Sequence, residues 1–266
     1  MNRRFCLLLA APALLFAACS PPASDSPAGP APLRVGMELG YPPFEMTDEQ
    51  GRPAGVSVDL ARALGAHLGR EVVIENLAFD GLIPALKTGR IDLILSSLTA
   101  TPERAQSIAF SEPYVRIGLA MLVGRDSPVT NIAAANAPGR VVAVKKGTTG
   151  HLYATAHLPL ARVLVLDKEA AAVLEVAQGK ADAFLYDQLS VYQNWRRNEA
   201  TTRAVLAPFQ AEAWAVGLRQ GDEALRAQVN AFLADFRARG GFDQLAARWL
   251  AEPKAAFAAQ GIPFLF

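Results

Sequence analysis

Residues 89–114, GRIDLILSSLTATPERAQSIAFSEPY, predict a buried strand, a short loop and the start of a helix. The apolar run at 91–95 has the length of a buried strand. Thr101 is a suitable N-cap, Pro102 suits the first helical position, and Glu103 favours the first turn. The stretch therefore predicts a strand whose carboxyl end lies beside the N-terminus of a helix.

The same stretch contains groups that bind anions. Ser96, Ser97 and Thr99 follow the strand, and Arg104 lies just inside the helix. A guanidinium and the free N–H groups of a helix N-terminus both complement a carboxylate. The alternative is a surface arginine on an ordinary capped helix, but the preceding hydroxyl groups favour a carboxylate site.

Strands and helices alternate on both sides of this stretch. The predicted strands are 33–37, 72–74, 141–144 and 163–166, and the predicted helices are 56–68, 79–88, 151–156 and 168–178. Such alternation indicates an α/β fold with a parallel sheet.

One internal repeat relates two parts of the chain. ALKTGRIDLILSS at 85–97 aligns without gaps on EVAQGKADAFLYD at 175–187, so Ser97 and Asp187 fall at equivalent strand ends. Ligands of open α/β sheets bind outside the carboxyl ends of the strands. The repeat therefore suggests two facing lobes that share one site. Asp187 could instead be only the N-cap of a following helix.

Composition limits the possible classes of function. The chain has 266 residues, of which 52% are hydrophobic and 19% charged, which is enough for one large or two modest domains. A formal net charge of +1 gives no support for a nucleic-acid surface. His67, His151 and His157 lack metal-ligand spacing, and no phosphate-binding glycine motif is present, so we expect neither metal nor cofactor.

The N-terminus is typical of a targeting segment. Arg3 and Arg4 precede an apolar stretch, 5–18, that is too short to be a confident membrane span. LFAAC at 15–19 resembles a bacterial lipobox, although Phe16 replaces the usual aliphatic residue, and this predicts that residues 1–19 are a lipoprotein signal with Cys19 lipidated. Simple secretion and an uncleaved anchor are the alternatives.

Residues 20–32, SPPASDSPAGPAP, predict a semi-extended tether. At about 3 Å per residue it would reach roughly 40 Å. Both cysteines of the chain, Cys6 and Cys19, precede it, so the folded body carries no thiol. A lipid anchor followed by a tether predicts a membrane-anchored lipoprotein of the periplasm or cell envelope.

Five segments of the body resemble the bacterial extracytoplasmic solute-binding proteins of polar amino-acid ABC importers, known as family 3. They are LRVGMELGYPPFE (33–45), AFDGLIPALKTGRIDLILSSLTATPERAQSIAFSEPY (78–114), KGTTG (146–150), DAFLYD (182–187) and GGFDQLAARWL (240–250). They span nearly all of the body in family order, and the second is highly specific. The resemblance implies a two-lobed periplasmic-binding-protein-like fold of type II. Lobe 1 would be 33–116 with 214–266 and lobe 2 would be 117–213, joined by crossover hinge strands near 115–120 and 213–218.

The resemblance also implies roles for individual residues. Arg104 would bind the α-carboxylate of an amino acid, Asp187 would bind the α-ammonium group, and hydroxyl groups would donate further bonds from Ser97, Thr99, Thr148 and Thr149. Tyr41 and Phe79 would sandwich the ligand side chain, although both could be plain core aromatics. Glu38 replaces the usual aspartate near the side-chain end, which would suit a shortened cationic or a polar ligand, unless Glu38 only pairs with a surface arginine.

The implied function is the amino-acid-binding component of an ABC importer. It would capture a polar or basic L-amino acid without changing it, act as a monomer, and deliver the ligand to ABC permease subunits in the inner membrane. One alternative is an enzyme on the same fold, similar to cyclohexadienyl or arogenate dehydratase, with Glu38 as the candidate acid. Another is a lipoprotein that senses an amino acid rather than transporting it.

Overall fold

The computed structural model describes residues 30–263 and residue 266. The predicted signal segment, Cys19 and most of the predicted tether lie outside the described residues. At the end of the tether, the carbonyl oxygens of Ala31 and Pro32 accept hydrogen bonds from Arg70. No helix in the described part of the chain has both the length and the apolar run that crossing a membrane requires.

The first sheet contains the strand predicted from the quoted stretch. Its strands are β1 Leu33–Met37, β4 Val72–Asn76, β5 Leu93–Ile94, β6 Ala109–Phe110 and β12 Gly217–Leu218. Their order is β4-β1-β5-β12-β6, with β1 parallel to β4 and β5, and with β12 antiparallel to β5 and β6. A small ribbon beside it pairs β2 Met46–Thr47 with β3 Pro53–Ala54.

The second sheet is built from the middle of the chain. Its strands are β7 Val115–Gly124, β8 Val141–Lys145, β9 Arg162–Leu166, β10 Ala183–Asp187 and β11 Thr202–Trp214, in the order β11-β7-β10-β8-β9. Strand β8 is parallel to β9 and β10, whereas β7 is antiparallel to β10 and β11. The predicted parallel pairing is confirmed for β1, β4 and β5 and for β8, β9 and β10. Strands β7 and β12 are antiparallel to their neighbours, because each enters its sheet from the other sheet rather than through a helical crossover.

Helices cover both sheets. They are α1 Val56–Leu68, α2 Leu82–Lys87, α3 Pro102–Ala105, α4 Ile132–Ala135, α5 Thr149–His157, α6 Glu169–Ala177, α7 Gln188–Arg197, α8 Glu223–Ala238, α9 Gly241–Trp249 and α10 Ala251–Ala259. The prediction of α1 is confirmed at both ends, since Val56, Leu60 and Leu64 are buried on one face and Gly69 ends the helix with a φ of +63°.

Two predicted helices differ from the structure at their N-termini. The predicted helix 79–88 begins instead with a short 3₁₀ turn, Phe79–Gly81, and α2 follows from Leu82. Helix α5 starts two residues before the predicted 151, because the Thr148 hydroxyl accepts a bond from the backbone N–H of His151 and so caps the helix.

Two polypeptide connections join the sheets. The chain leaves the first sheet after β6 and enters β7, and it returns from β11 to β12. Strands β7 and β11 pair with each other from Val115 opposite Trp214 to Gly124 opposite Thr202, with a register shift between Val205 and Gln210. Each sheet with its helices forms a lobe, and we call the lobe of the first sheet lobe 1 and that of the second sheet lobe 2.

The C-terminal helix contacts both lobes. Phe257 of α10 is fully buried and packs edge-on against the ring of Tyr192 in α7, and the Tyr192 hydroxyl donates a bond to Glu252. Phe266 stacks on Phe242 of α9. Helix α10 therefore connects the two lobes, because α9 belongs to lobe 1 and α7 to lobe 2.

Candidate ligand-binding site

A cavity with an empty volume of about 460 Å³ lies between the two lobes. All nine residues that the sequence nominated for a ligand site line it: Glu38, Tyr41, Phe79, Ser97, Thr99, Arg104, Thr148, Thr149 and Asp187. Ser96 lines it as well. Six further lining residues had no predicted role: Glu45, Leu119, Lys145, Tyr186, Glu212 and Trp214.

Arg104 supplies the positive charge at one end of the cavity. Thr101 caps α3 by accepting a bond from the Arg104 backbone N–H at 3.2 Å, so the side chain leaves the first turn of the helix. Its Nη1 donates to the Thr99 carbonyl at 2.7 Å and its Nη2 donates to the Gly147 carbonyl of the other lobe at 3.0 Å. Burial lowers the pKa of Arg104 to about 10, opposed by the attraction of Glu212, and the group remains a cation at neutral pH. A guanidinium has more N–H donors than these two carbonyls use.

Asp187 supplies a buried carboxylate at the end of β10. It accepts bonds from the backbone N–H groups of Leu189 and Ser190, both at 3.0 Å, and from the Tyr41 hydroxyl at 2.8 Å. Burial raises its pKa to about 7, and the bonds from Ser190 and Tyr41 oppose that rise. The N-cap interpretation is therefore confirmed, and the same carboxylate also lines the cavity.

Helix α5 brings its N-terminus to the same place. A Cβ atom on Gly150 would lie 2.5 Å from the Leu185 carbonyl oxygen, so only glycine lets this helix pack closely on β10. The contact positions Thr148 and Thr149 at the cavity, where the Thr148 hydroxyl also donates to the Lys145 carbonyl at 2.7 Å.

Aromatic rings form much of the remaining wall. Tyr41 is 5% exposed, and its ring centroid lies 5.9 Å from those of both Tyr186 and Trp214. Tyr41 is therefore a core aromatic and a lining residue together. Phe79 is half-buried, with the guanidinium carbon of Arg104 at 5.6 Å and the Nζ atom of Lys145 at 5.5 Å from its ring centroid.

Glu45 is a buried carboxyl group that contacts Ser97 in the loop after β5. It accepts bonds from the hydroxyls of Ser57 and Ser97, and Ser97 has a left-handed backbone with a φ of +49°. Burial raises the pKa of Glu45 to about 8 against the opposing effect of these two bonds, so the group is largely neutral at pH 7. The hydrogen bond from the Ser97 hydroxyl to Glu45 helps to hold Ser97 in a backbone conformation that non-glycine residues rarely adopt.

Glu38 pairs with a lysine of the other lobe. Its Oε2 bonds the Nζ atom of Lys145, whose side chain is 3% exposed at the end of β8. The interpretation that Glu38 pairs with a surface arginine is wrong. The sequence does not distinguish Lys145 as a site residue, because Lys146 follows it and two adjacent lysines are typical of a solvated surface.

Glu212 is a second unpredicted charge in the cavity wall. The Thr99 hydroxyl donates to its Oε2 at 3.2 Å, while its Oε1 is buried and has no hydrogen-bond partner. Burial raises the pKa of Glu212, and the nearby hydroxyl groups of Thr149 and Thr99 oppose the rise. An acidic residue in an alternating strand usually faces water, so no signal in β11 distinguished it.

The described residues contain no group of three or more His, Cys, Asp and Glu side chains that could hold a metal ion. The groups that face the cavity instead include the cations of Arg104 and Lys145 and the acidic side chains of Glu38, Asp187 and Glu212. Such an arrangement suits an organic ligand that itself carries both signs of charge.

Comparison with known proteins gives consistent results. The L-arginine-binding protein of Pseudomonas aeruginosa is 31% identical over 223 residues, which cover 80% of this chain and 86% of that protein. The L-cystine-binding protein TcyJ of Escherichia coli K12 is 29% identical over 217 residues, 82% of each chain. The crystal structure of the ancestral amino acid-binding protein AncCDT-1, a precursor of cyclohexadienyl dehydratase, superposes with a TM-score of 0.75 at 36% identity, covering 82% of this chain and 94% of that one.

The two-lobed α/β architecture is accordingly the type II fold of periplasmic binding proteins. The model of the bacterial extracellular solute-binding proteins, family 3, matches residues 33–252. The chain belongs to that family.

Proposed function

We propose that this chain is the amino-acid-binding component of an ABC importer and that it captures a free polar or basic L-amino acid between its lobes. The observation that carries the proposal is the placement of Arg104 and Asp187, a cation from lobe 1 and a carboxylate from lobe 2, in the wall of one cavity. Together they complement a zwitterion. The similarity to proteins named for binding L-arginine and L-cystine supports it.

Arg104 would bind the ligand carboxylate. Its guanidinium is already oriented by the carbonyls of Thr99 and Gly147, so little side-chain freedom is lost on binding. The N-terminus of α5, with the hydroxyls of Thr148 and Thr149, adds positive potential and donors from the opposite lobe. Ser97 lies on the lobe 1 side of the same cavity.

Two carboxylates would bind the ligand ammonium group. Asp187 is the predicted partner, and Glu212 is the second, because its Oε1 is buried without a partner. The negative charge of Glu212 contributes to the raised pKa of Asp187. A cation placed between them would relieve this repulsion and would give the Glu212 oxygen its missing bond.

Closure of the lobes would then enclose the ligand. Contacts across the cleft already join Tyr41 to Asp187 at 2.8 Å and Lys146 to Asp80 at 2.8 Å. We place the lobe boundaries at 33–116 with 214–266 for lobe 1 and 117–213 for lobe 2, with hinge strands near 115–120 and 213–218. Opening about these strands would admit the ligand.

We also propose that the chain works as a monomeric lipoprotein on the periplasmic side of the inner membrane. Support comes from the signal-like residues 1–19, from the Pro- and Ala-rich residues 20–32, and from membership of an extracellular family. Cys19 would carry the lipid, and ABC permease subunits would receive the ligand.

One observation supports an enzyme as the second candidate function. A precursor of cyclohexadienyl dehydratase is among the similar structures, and a dehydratase needs a general acid in its cleft. Glu38, the acid nominated from the sequence, already bonds Lys145, and the acid at Asp187 suits a free ammonium group. Both features favour binding without chemistry.

A ligand screen tests the proposal. Protein unfolded, washed and refolded to remove any bound ligand is screened by thermal shift against the twenty amino acids and L-cystine. At least one should raise the melting temperature, because a ligand that binds only the folded state stabilises it. The absence of any shift would contradict the proposal. Turnover of prephenate or arogenate by the same preparation would establish the enzyme instead.

A further inference from the structure

The Glu38–Lys145 pair forms a partition between two cavities. Both residues line the enclosed cavity described above, and both also line a larger, open groove with an empty volume of about 930 Å³. Lys168, Glu169 and Asn76 lie along that groove. The pair therefore stands where the enclosed cavity would otherwise continue towards solvent.

In the proposed function the ligand head group contacts other charged residues of the cavity, so the Glu38–Lys145 pair faces the ligand side chain. Arg104 faces the carboxylate, and Asp187 and Glu212 face the ammonium group in the proposed function. Glu38 and Lys145 remain, and the Lys145 ammonium lies 5.5 Å from the centroid of Phe79, the proposed wall of the side-chain pocket. The end of the ligand side chain therefore meets one buried ammonium and one carboxylate that are bonded to each other.

A side chain with a net charge would leave one of these two groups unpaired. A cationic side chain that takes Glu38 as its partner leaves the Lys145 ammonium, only 3% exposed, without an anion. An anionic side chain that takes Lys145 leaves the partly buried Glu38, whose side chain is 21% exposed, without a cation. Removing one partner of a buried pair is strongly unfavourable, because the remaining charge loses its compensation in a medium of low dielectric constant.

A side-chain end that carries an acceptor and a donor satisfies both groups. The acceptor takes a bond from Lys145 and the donor gives one to Glu38, with no net charge added. Resting on the proposed function, we propose that the Glu38–Lys145 pair selects ligands whose side chain ends in such a net-uncharged group. It is a terminal carboxamide, as in L-glutamine, or a second ammonium and carboxylate, as in L-cystine.

The two kinds of side-chain end differ in how far the ligand extends. A carboxamide ends at the pair, inside the enclosed cavity. A second amino-acid head group would extend past the pair into the groove, where Lys168 is exposed and the Oε2 atom of Glu169 is buried without a partner. Replacing Lys168 with methionine should then weaken L-cystine and leave L-glutamine unchanged.

Isothermal titration of ligand-free protein tests the selection. The panel is L-glutamine, L-asparagine, L-cystine, L-arginine, L-lysine, L-ornithine and L-glutamate. We expect an uncharged-side-chain ligand to bind about tenfold or more tightly than any cationic or anionic one. Lys145→Met should reverse the order between the uncharged ligand and L-arginine, because Glu38 is then left for a cation. Lys87→Met is the matched control, since Lys87 is exposed at the end of α2 and lines neither the cavity nor the groove.

The outcomes separate the two proposals. If L-arginine, L-lysine, L-ornithine or L-glutamate binds the unsubstituted chain most tightly, the selection is overturned while amino-acid binding stands. An unchanged order of preference in Lys145→Met overturns it as well. If no member of the panel binds, the proposed function itself fails. The panel on the unsubstituted chain decides the question even if Lys145→Met does not fold.

Discussion

The Arg104 guanidinium donates a 3.0 Å hydrogen bond to the Gly147 carbonyl oxygen, so a residue of lobe 1 binds the backbone of lobe 2 across the cavity. The bond orients the guanidinium without neutralising it, because a carbonyl carries no net charge. Arg104 therefore remains a buried cation that lacks a full countercharge until an anion arrives, and this electrostatic need is what we expect the ligand carboxylate to meet.

Substitution of Arg104 should affect binding more than any other change in the cavity. Truncation of one partner of a buried charge pair costs about 2–5 kcal/mol, so Arg104→Ala should lower affinity roughly thirtyfold or more. Arg104→Lys should also bind clearly more weakly, because an ammonium cannot form two parallel bonds. Titration calorimetry measures both.

The matched control for Arg104 is Phe79→Ala, which removes apolar contact without removing charge and should cost less affinity. The melting temperature of ligand-free Arg104→Ala should change little, because water can bond the two freed carbonyls once the lobes open. Affinity of Arg104→Ala within threefold of the unsubstituted chain would place the carboxylate site elsewhere.

Glu212→Gln should weaken ligand binding by about five- to tenfold, because it removes one of two carboxylates from the ammonium site while keeping nearly the same shape. The control is Glu103→Gln. Glu103 is an exposed residue of α3, the helix that contains Arg104, and it does not line the cavity. Equal affinities for Glu212→Gln and Glu103→Gln would show that the unpartnered Glu212 oxygen has no part in binding.

Ligand binding should release protons below pH 7. The pKa of Asp187 is about 7 in the ligand-free cavity, so the group is partly protonated there, and only its ionised form complements an ammonium group. Affinity should therefore fall as the pH drops from 7 to 5, by up to about tenfold per pH unit for one titrating group. Calorimetry at pH 6 in two buffers of different ionisation enthalpy measures the release directly, and Asp187→Asn should remove most of it. A heat of binding that is independent of buffer would contradict this assignment.

The stability of the ligand-free protein should fall as the pH rises from about 4.5 to 8. The pKa of Glu45 is about 8 in the folded chain and 4.5 by reference, so the folded state holds a proton that the unfolded state has lost throughout this window. The stabilising contribution of the bound proton is complete below the lower value and is lost as the pH passes the upper one. The whole change is up to about 5 kcal/mol.

Urea unfolding at pH 5 and pH 8 measures this slope. Glu45→Gln should flatten it, since a carboxamide accepts the same serine bonds and does not ionise. Glu71→Gln, at an exposed position, is the control and should keep the slope of the unsubstituted chain. A slope that survives in Glu45→Gln would assign the titration to other buried acids, such as Asp187.

Cys19→Ser should move the protein from the membrane to the soluble extracytoplasmic fraction and leave ligand affinity unchanged. The reason is that a serine cannot accept the lipid, while the cavity lies in a part of the chain that begins after the tether. Fractionation followed by immunoblotting measures it. Retention in the membrane fraction would indicate that residues 5–18 act as an uncleaved anchor.

The predictions from sequence succeeded where the information is local. The apolar spacing of Val56, Leu60 and Leu64 determines the buried face of α1, and Thr101 with Pro102 determines the start of α3. The nine residues nominated through the family resemblance line one cavity, and their roles in binding stay predictions. Each of these signals is contained within a short segment.

The sequence could not reveal contacts between distant segments. Lys145 and Glu38 are 107 residues apart, and Thr99 and Glu212 are 113 apart, so neither pairing has a local pattern. Both acidic and basic members look like surface charges until the second lobe covers them. The antiparallel direction of β7 also has no local signal, because the direction of a strand depends on which sheet contains the preceding strand.

The pairing of β7 with β11 has a consequence for how a ligand would leave. Two connections that are hydrogen-bonded to each other form a ribbon, which bends far more easily about one axis than it twists or shears. Arg104 with Gly147, Tyr41 with Asp187, and Lys146 with Asp80 all span the cleft that such a bend would widen. These contacts would break together rather than one after another. Release should accordingly be a single concerted event, with a dissociation rate governed by the opening of the whole cleft rather than by any one bond.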